Sequence, residues 1–220
     1  MPFRTRPFAL AAAGALALTG LAPWSPAGAL SQPETDDFLG QLTRTYNDPT
    51  GPADNNAYDF DIVTKAVLVT GADATLTSLP AFTVFAPNDR AFEVLAFRLG
   101  ALSKSHRFGA TVDEAKVYNA LVAKLGVDKI RKVLLYHVLA GQRMTGEQLL
   151  AGPRTRKITM ANTQKLRVTV LSRNAAFPVI ILGDKDGRPL NDQVVKSKID
   201  VVSTDNAVVH GISNVLLPTL

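Results

Sequence analysis

The 220-residue chain has no cysteine. That excludes disulfide staples, thiolate metal sites and a thiol nucleophile, so stability has to come from an apolar core. Histidine is scarce as well. His106, His137 and His210 lie far apart, and no two share ligand spacing on one element. The G-x-S-x-G elbow, the H-E-x-x-H helix and the Gly-rich phosphate loop with its lysine are all missing, which leaves no sequence basis for an enzyme. No internal repeat, low-complexity run or heptad array is present. The formal net charge of +5 falls to +3 without Arg4 and Arg6, an ordinary surface rather than a nucleic-acid footprint.

Apolar residues make up 46% of the chain, enough for a packed globule. The N-terminus reads as an export signal over residues 1–29. Arg4 and Arg6 form its basic region, Phe8–Leu21 its apolar region, and Ala27-Gly28-Ala29 its small-x-small cleavage site, so the expected mature start is Leu30. The apolar stretch falls short of the ~20 residues that span a bilayer. Arg4 and Arg6 flank Thr5, so no twin-arginine pair marks the route, and no cysteine follows for a lipid anchor. The expectation is a secreted protein, extracellular or periplasmic, of about 190 residues, which suits one well-cored domain.

Along the chain, Thr35–Tyr46 reads as a helix and Asn47–Asn56 (NDPTGPADNN) as a loop or linker, so residues 30–59 form an N-terminal extension. Phe60–Thr70 is apolar on nearly every side and predicts a buried helix stopped by Gly71. Phe82–Ala86 predicts a buried strand, halted by Pro87. Asn88 then caps a helix from Asp89 to about Leu99. Thr111-x-x-Glu114 reads as a capping box for a helix ending at Gly126. Asp128 caps the next helix, which hands over to a strand near Tyr136–Leu139. Thr145-x-x-Gln148 is a second capping box, with Gly152 as its stop. From there the period becomes two: Lys157–Met160, Leu166–Leu171, Pro178–Leu182, Ile199–Ser203 and Ala207–Leu216 predict strands, with a turn at Asp186-Gly187. Helices first and strands later make an α+β fold, with N-terminal helices packed on a C-terminal β-sandwich or wedge.

Three segments in fixed order, FTVFAPNDRAF (Phe82–Phe92), LLYHVLAG (Leu134–Gly141) and NAVVHGISNVLLP (Asn206–Pro218), resemble the signature blocks and central Tyr-His motif of the fasciclin domain family. The resemblance covers residues 60–220. Phe82, Thr83, Phe85, Pro87, Asn88, Phe92, His137, Asn206, His210, Leu217 and Pro218 carry the match, mainly as structural positions. The chain departs from the pattern at Ala207, where the family has glycine, and at Ile212-Ser213, where it has Ile-Asp. Gly100–Ala110 reads as an insertion relative to the family's spacing. Members are mostly extracellular adhesion or matrix modules. The resemblance therefore implies a binding protein at a bacterial surface or in a matrix, with a protein or polysaccharide partner, no nucleic acid and no cofactor.

Two groups stand out as partner-binding candidates. Tyr136 and His137 match the dipeptide linked in animal members to integrin binding, although the surrounding motif is not reproduced. The other reading of His137 is a core imidazole stapling a helix end to the sheet. Arg154, Arg156, Lys157, Lys165 and Arg167 form the second group, either a solvated sheet face or a polyanion site. A zinc site from His137 and His210 lacks ligand spacing, and Asp184 with Asp186 lacks a calcium loop's turn glycine because Pro189 stands there. No metal is expected. The leading function is an adhesion or surface-interaction module, and the alternative is a carrier holding an apolar small molecule in a helix–sheet groove.

Overall fold

The computed structural model describes Phe38, Gly40, Gln41 and residues 55–109, 111–174, 176–185 and 192–220. The run predicted as a buried helix forms α1 (Asp61–Thr70). It ends where Gly71 turns left-handed at φ 64° and its N–H bonds the Leu68 carbonyl at 3.2 Å, a backbone shape that costs glycine nothing. A short α2 (Ala72–Thr77) follows, β1 (Phe82–Pro87) ends at the proline, and α3 (Asp89–Arg98) opens under an Asn88 cap. There Asn88 Oδ1 accepts the Ala91 N–H at 3.0 Å.

α4 (Glu114–Leu125) starts differently from the sequence expectation. Its cap is Asp113, whose Oδ1 accepts the Lys116 N–H at 2.9 Å. Thr111 sits outside, bridged to Asn56, while Glu114 is buried and does not reach back as a capping box requires. α5 (Val127–Tyr136) enters from Gly126, with Asp128 in its first turn rather than at its cap. Its last residue is Tyr136, so the handover to β2 (Val138–Ala140) comes later than predicted. α6 (Gly146–Ala151) has the expected capping box: Thr145 Oγ1 accepts the Gln148 N–H at 3.3 Å, and Gln148 Oε1 accepts the Thr145 N–H at 2.9 Å.

The remaining strands are β3 (Thr155–Thr159), β4 (Lys165–Ser172), β5 (Val179–Gly183), β6 (Asp192–Gln193), β7 (Val202–Ser203) and β8 (Ala207–Ile212). They build two sheets, ordered β2-β1-β8-β7 and β3-β4-β5-β6. The strand predicted at Ile199–Ser203 shortens to β7 because Lys196–Lys198 form a 3-10 turn and Asp200 adopts φ 52°. β1 and β8 run parallel, from Phe82↔Ala207 to Pro87↔Ile212, and every residue of both is buried. That burial follows from covering on both faces. Alternate residues of β1 serve two cores. Phe82, Val84 and Ala86 join the helical core with Phe60, Val63 and Val133, while Phe85 joins Tyr136, Leu166, Val168 and Leu182 between the sheets. The α+β class holds, with helices on one side of the first sheet and the second sheet on its other side.

Of the helix predicted at Thr35–Tyr46, the described Phe38, Gly40 and Gln41 are helical. Phe38 packs edge-on against Phe82, ring centroids 5.4 Å apart. Residues 1–29, most of Asn47–Asn56 and the Asp186-Gly187 turn lie outside the described residues. No helix among the described residues is long and apolar enough to cross a membrane.

Candidate interaction surface

Tyr136 and His137 are interior. Tyr136 is 0% and His137 2% exposed, because the last turn of α5 runs into the space between the sheets. The Tyr136 hydroxyl donates to the Lys165 carbonyl at 3.0 Å, and burial pushes its pKa up to about 12. His137 uses both ring nitrogens: Nδ1–H donates to the Val133 carbonyl at 2.8 Å, and Nε2 accepts the Leu216 N–H at 2.9 Å. The ring is therefore neutral, and burial lowers its pKa to about 4 despite the Val133 bond. It ties the end of α5 to the segment after β8. Neither side chain presents an atom to a partner in this fold.

The other signature positions cluster around the β1–β8 pair. The Thr83 hydroxyl donates to the Gln142 carbonyl and accepts the Met144 N–H, both at 2.8 Å, which pins the loop after β2. His210 is fully buried against Phe85, ring centroids 5.7 Å apart. Its Nε2–H donates to the Met144 carbonyl at 2.8 Å, and its Nδ1 accepts the Asp200 N–H at 3.2 Å. With both rings occupied in this way, neither His137 nor His210 offers a lone pair to a metal. Ala207 keeps a negative φ, so the family's glycine is not a conformational requirement in this chain. The Asn206 carbonyl accepts the Phe82 N–H at 2.9 Å, and the Leu217 N–H donates to Asp184 Oδ2 at 2.6 Å. Phe92 and Pro218 are buried.

One buried acidic group carried no sequence signal, because its members come from three helix starts. Asp89 caps α1, accepting the Ile62 N–H at 2.9 Å and the Asp61 N–H at 3.3 Å. Asp59 and Glu114 are buried beside it, and oxygens of Asp59, Asp61 and Glu114 come within 4.8 Å of one another, close enough to hold a cation. Burial, then the hydrogen bond and charge of Asp59, raise the Asp89 pKa well above the usual carboxylate range. Lys198 supplies positive charge to Asp59 and Asp89, with its ammonium bonded to the Tyr58 carbonyl and 4.7 Å from the centre of the Phe60 ring. Three helix N-termini meeting on carboxylates is a favourable dipole arrangement. From the Gly100–Ala110 insertion, His106 and Phe108 pack on α3: His106 Nε2 lies 2.6 Å from the buried Glu93, and Phe108 meets Phe97 edge-on at 5.4 Å.

The basic residues do not form one patch. β3 extends back to Thr155, so Arg156 pairs with Val168 and Lys157 with Arg167. Alternation sends Arg156 to the inner side and leaves Lys157 on the outer one. Lys157, Lys165 and Arg167 are exposed together on the outer face, alongside Thr155, Thr159 and Thr169. Among the described residues none of the three basic side chains pairs with a carboxylate, and no acid occupies the outward positions of β3 or β4. Arg154 is exposed at the strand's entry.

A family model described as Fasciclin domain matches residues 58–218. Among solved structures, the chain is similar to a FAS1 domain pair from the insect cell adhesion molecule fasciclin I. The TM-score is 0.50 at 18% identity, covering 74% of this chain and 46% of that one. The chain thus spans less than half the length of that structure, and the likeness concerns fold alone. No curated protein matches.

Proposed function

The chain belongs to the fasciclin domain family, and from that premise we propose that it is an exported, non-catalytic adhesion domain. Its contact surface for an acidic envelope or matrix glycan is the outer face of β3 and β4. On this reading residues 1–29 are a removed leader, 30–59 an extension and 60–220 the interacting domain. Domains of the family are associated with adhesion and surface interaction, which supports the class of function.

The observation that carries the partner's chemistry is the face of Lys157, Lys165 and Arg167. Lys157 and Arg167 stand directly opposite each other, and like charges in that position cost stability. A polyanion bound across the strands relieves the repulsion. Tyr136 and His137 act on this reading through the fold and do not touch the partner. The carrier alternative has less behind it in the helical half, where the two apolar spaces beside Phe38 and beside Phe92 hold about 20 Å³ each, room for little more than a water.

The test is binding to an acidic polysaccharide across a salt series. Exposed charges are screened over about 8 Å at physiological ionic strength, so affinity falls clearly as salt rises. Changing Lys157, Lys165 and Arg167 together to Ser removes binding and leaves the melting temperature equal or higher. If the parent binds no polyanion at low salt, the glycan reading fails.

A further inference from the structure

We propose that the cleft between the Gln142–Met144 loop, α6 and the start of β3 binds one anionic group, a carboxylate, sulfate ester or phosphate ester, carried on a sugar-sized ligand. The cleft is an open groove of about 490 Å³. Its hydrogen-bonding character is one-sided. Arg143 is held from behind, its Nε donating to the Thr204 carbonyl at 2.7 Å and its Nη2 to Ser203 Oγ at 2.6 Å. Nη1 has no acceptor among the described residues. Arg156 reaches only neutral acceptors: the Leu149 carbonyl at 3.3 Å from both terminal nitrogens, the Pro153 carbonyl at 3.5 Å and the Met144 sulfur at 3.3 Å. Its Nε is buried with no acceptor among the described residues. Gln148 uses its side-chain oxygen on the Thr145 N–H, so its amide nitrogen is left to donate. Among the described residues, no aspartate or glutamate lines the cleft.

The chain makes room for this arrangement. A Cβ at Gly152 would lie 2.1 Å from Arg156 Nη1 and 2.9 Å from Cζ, so only glycine lets the guanidinium lie there. The group is partly withdrawn from water, enough for burial to lower its pKa, and it has no counter-ion among the described residues. Charge held that way is costly unless it is paired. The Met144 thioether is a weak acceptor on a flexible side chain. Swinging it aside frees Nη2, on the guanidinium edge that with Nε has the geometry to receive a carboxylate through two parallel bonds. The cleft and the basic face lie on opposite sides of β3, since Arg156 registers with the inward Val168 and Lys157 with the outward Arg167. The two sites therefore stand or fall separately.

The chain has three methionines, Met1, Met144 and Met160, so methyl-labelled NMR reports on the cleft with little ambiguity. Glucuronate, glucose 6-sulfate and glucose 6-phosphate are titrated in separate arms, with glucose as the neutral control. A saturable shift of the Met144 methyl with at least one charged sugar, and with Met160 and the glucose arm still, is the expected result. The arm that binds tightest identifies the anionic group. Gln148→Glu keeps the capping box, which accepts glutamate equally, but adds a carboxylate facing the two guanidiniums. It should leave the melting temperature within about 2 °C and raise Kd at least about tenfold. Gly152→Ala should weaken binding similarly by displacing Arg156. The Lys157/Lys165/Arg167 triple change should leave this Kd within about twofold while polymer binding is lost, so failure of one site is distinguishable from failure of the other. No Met144 shift with any charged sugar up to about 10 mM, or parent-like binding by Gln148→Glu, overturns the proposal.

Discussion

Replacing His137 with alanine removes two hydrogen bonds and an imidazole from a site that is 2% exposed. The Leu216 N–H loses its acceptor, Nε2 at 2.9 Å, and the Val133 carbonyl loses the Nδ1–H donor at 2.8 Å. An orphaned buried donor costs about 1–3 kcal/mol, and the cavity adds a large-to-small penalty. Together these give about 4 kcal/mol near neutral pH, or roughly 8–16 °C for a domain of this size. A second signature lies in the pH dependence. The His137 pKa is about 4 in the fold and 6.5 as an ordinary histidine. Between those values the unfolded chain takes up the proton first, so the contribution is complete above about pH 6.5, declines on acidification and levels off below about pH 4. The shift corresponds to about 3 kcal/mol. The alanine variant should therefore lose most at pH 7.5, and its gap to the parent should close by about that amount at pH 4. His210, also lowered by burial, works in the same direction, and Asp89, raised by burial, in the opposite one; both cancel in the comparison. Thermal melts of parent and variant at pH 7.5, 5.5 and 4.5 decide the matter. A drop under about 2 °C at pH 7.5, or parallel acid profiles, would refute the staple.

Two further changes probe the frame around the site. Thr83→Val keeps the shape but removes the bonds to Gln142 and Met144; it should cost about 2 kcal/mol and weaken charged-sugar binding, because the loop carrying Arg143 and Met144 is no longer pinned, and melts with a glucuronate titration check both. Asn88→Ala removes the α3 cap and should cost about 1 kcal/mol, lowering the melting temperature by roughly 2–4 °C while sugar and polymer binding stay unchanged.

The fold was legible in the sequence where local signals and periodicity agreed. Phe82–Pro87 carries β-branched and aromatic residues and ends on proline, Asn88 caps where a cap was needed, and Thr145 with Gln148 closes both bonds of its box. It was less legible where two signals competed within a few residues. Thr111 and Asp113 are both acceptable caps, and the nearer carboxylate takes the role, which sends Glu114 inward to the acidic group. Elements as short as α2 and β6 contain too few residues for any period to register. The pairing of β1 with β8 joins segments more than a hundred residues apart, and nothing local encodes it.

The candidate sites turned on a boundary of two residues. With β3 begun at Lys157, Arg154 and Arg156 belong to a preceding loop and count as one cluster with it. With β3 begun at Thr155, the pleat separates Arg156 from Lys157 and divides the positive charge between an outer face and an inner cleft. Gly152 is the local clue, more than a helix stop. Its backbone has φ −66°, a value any residue adopts, so conformation does not explain the glycine; the guanidinium 2.1 Å from its would-be Cβ does. The remaining cleft groups come from elsewhere in the chain: Arg143 and Met144 from the loop that Thr83 of β1 holds, and Gln148 from α6. That loop is anchored a second time by His210 of β8 through the Met144 carbonyl. The positions that match the family therefore build the parallel strand pair that fixes the loop, while the residues lining the cleft fall outside the quoted signature positions.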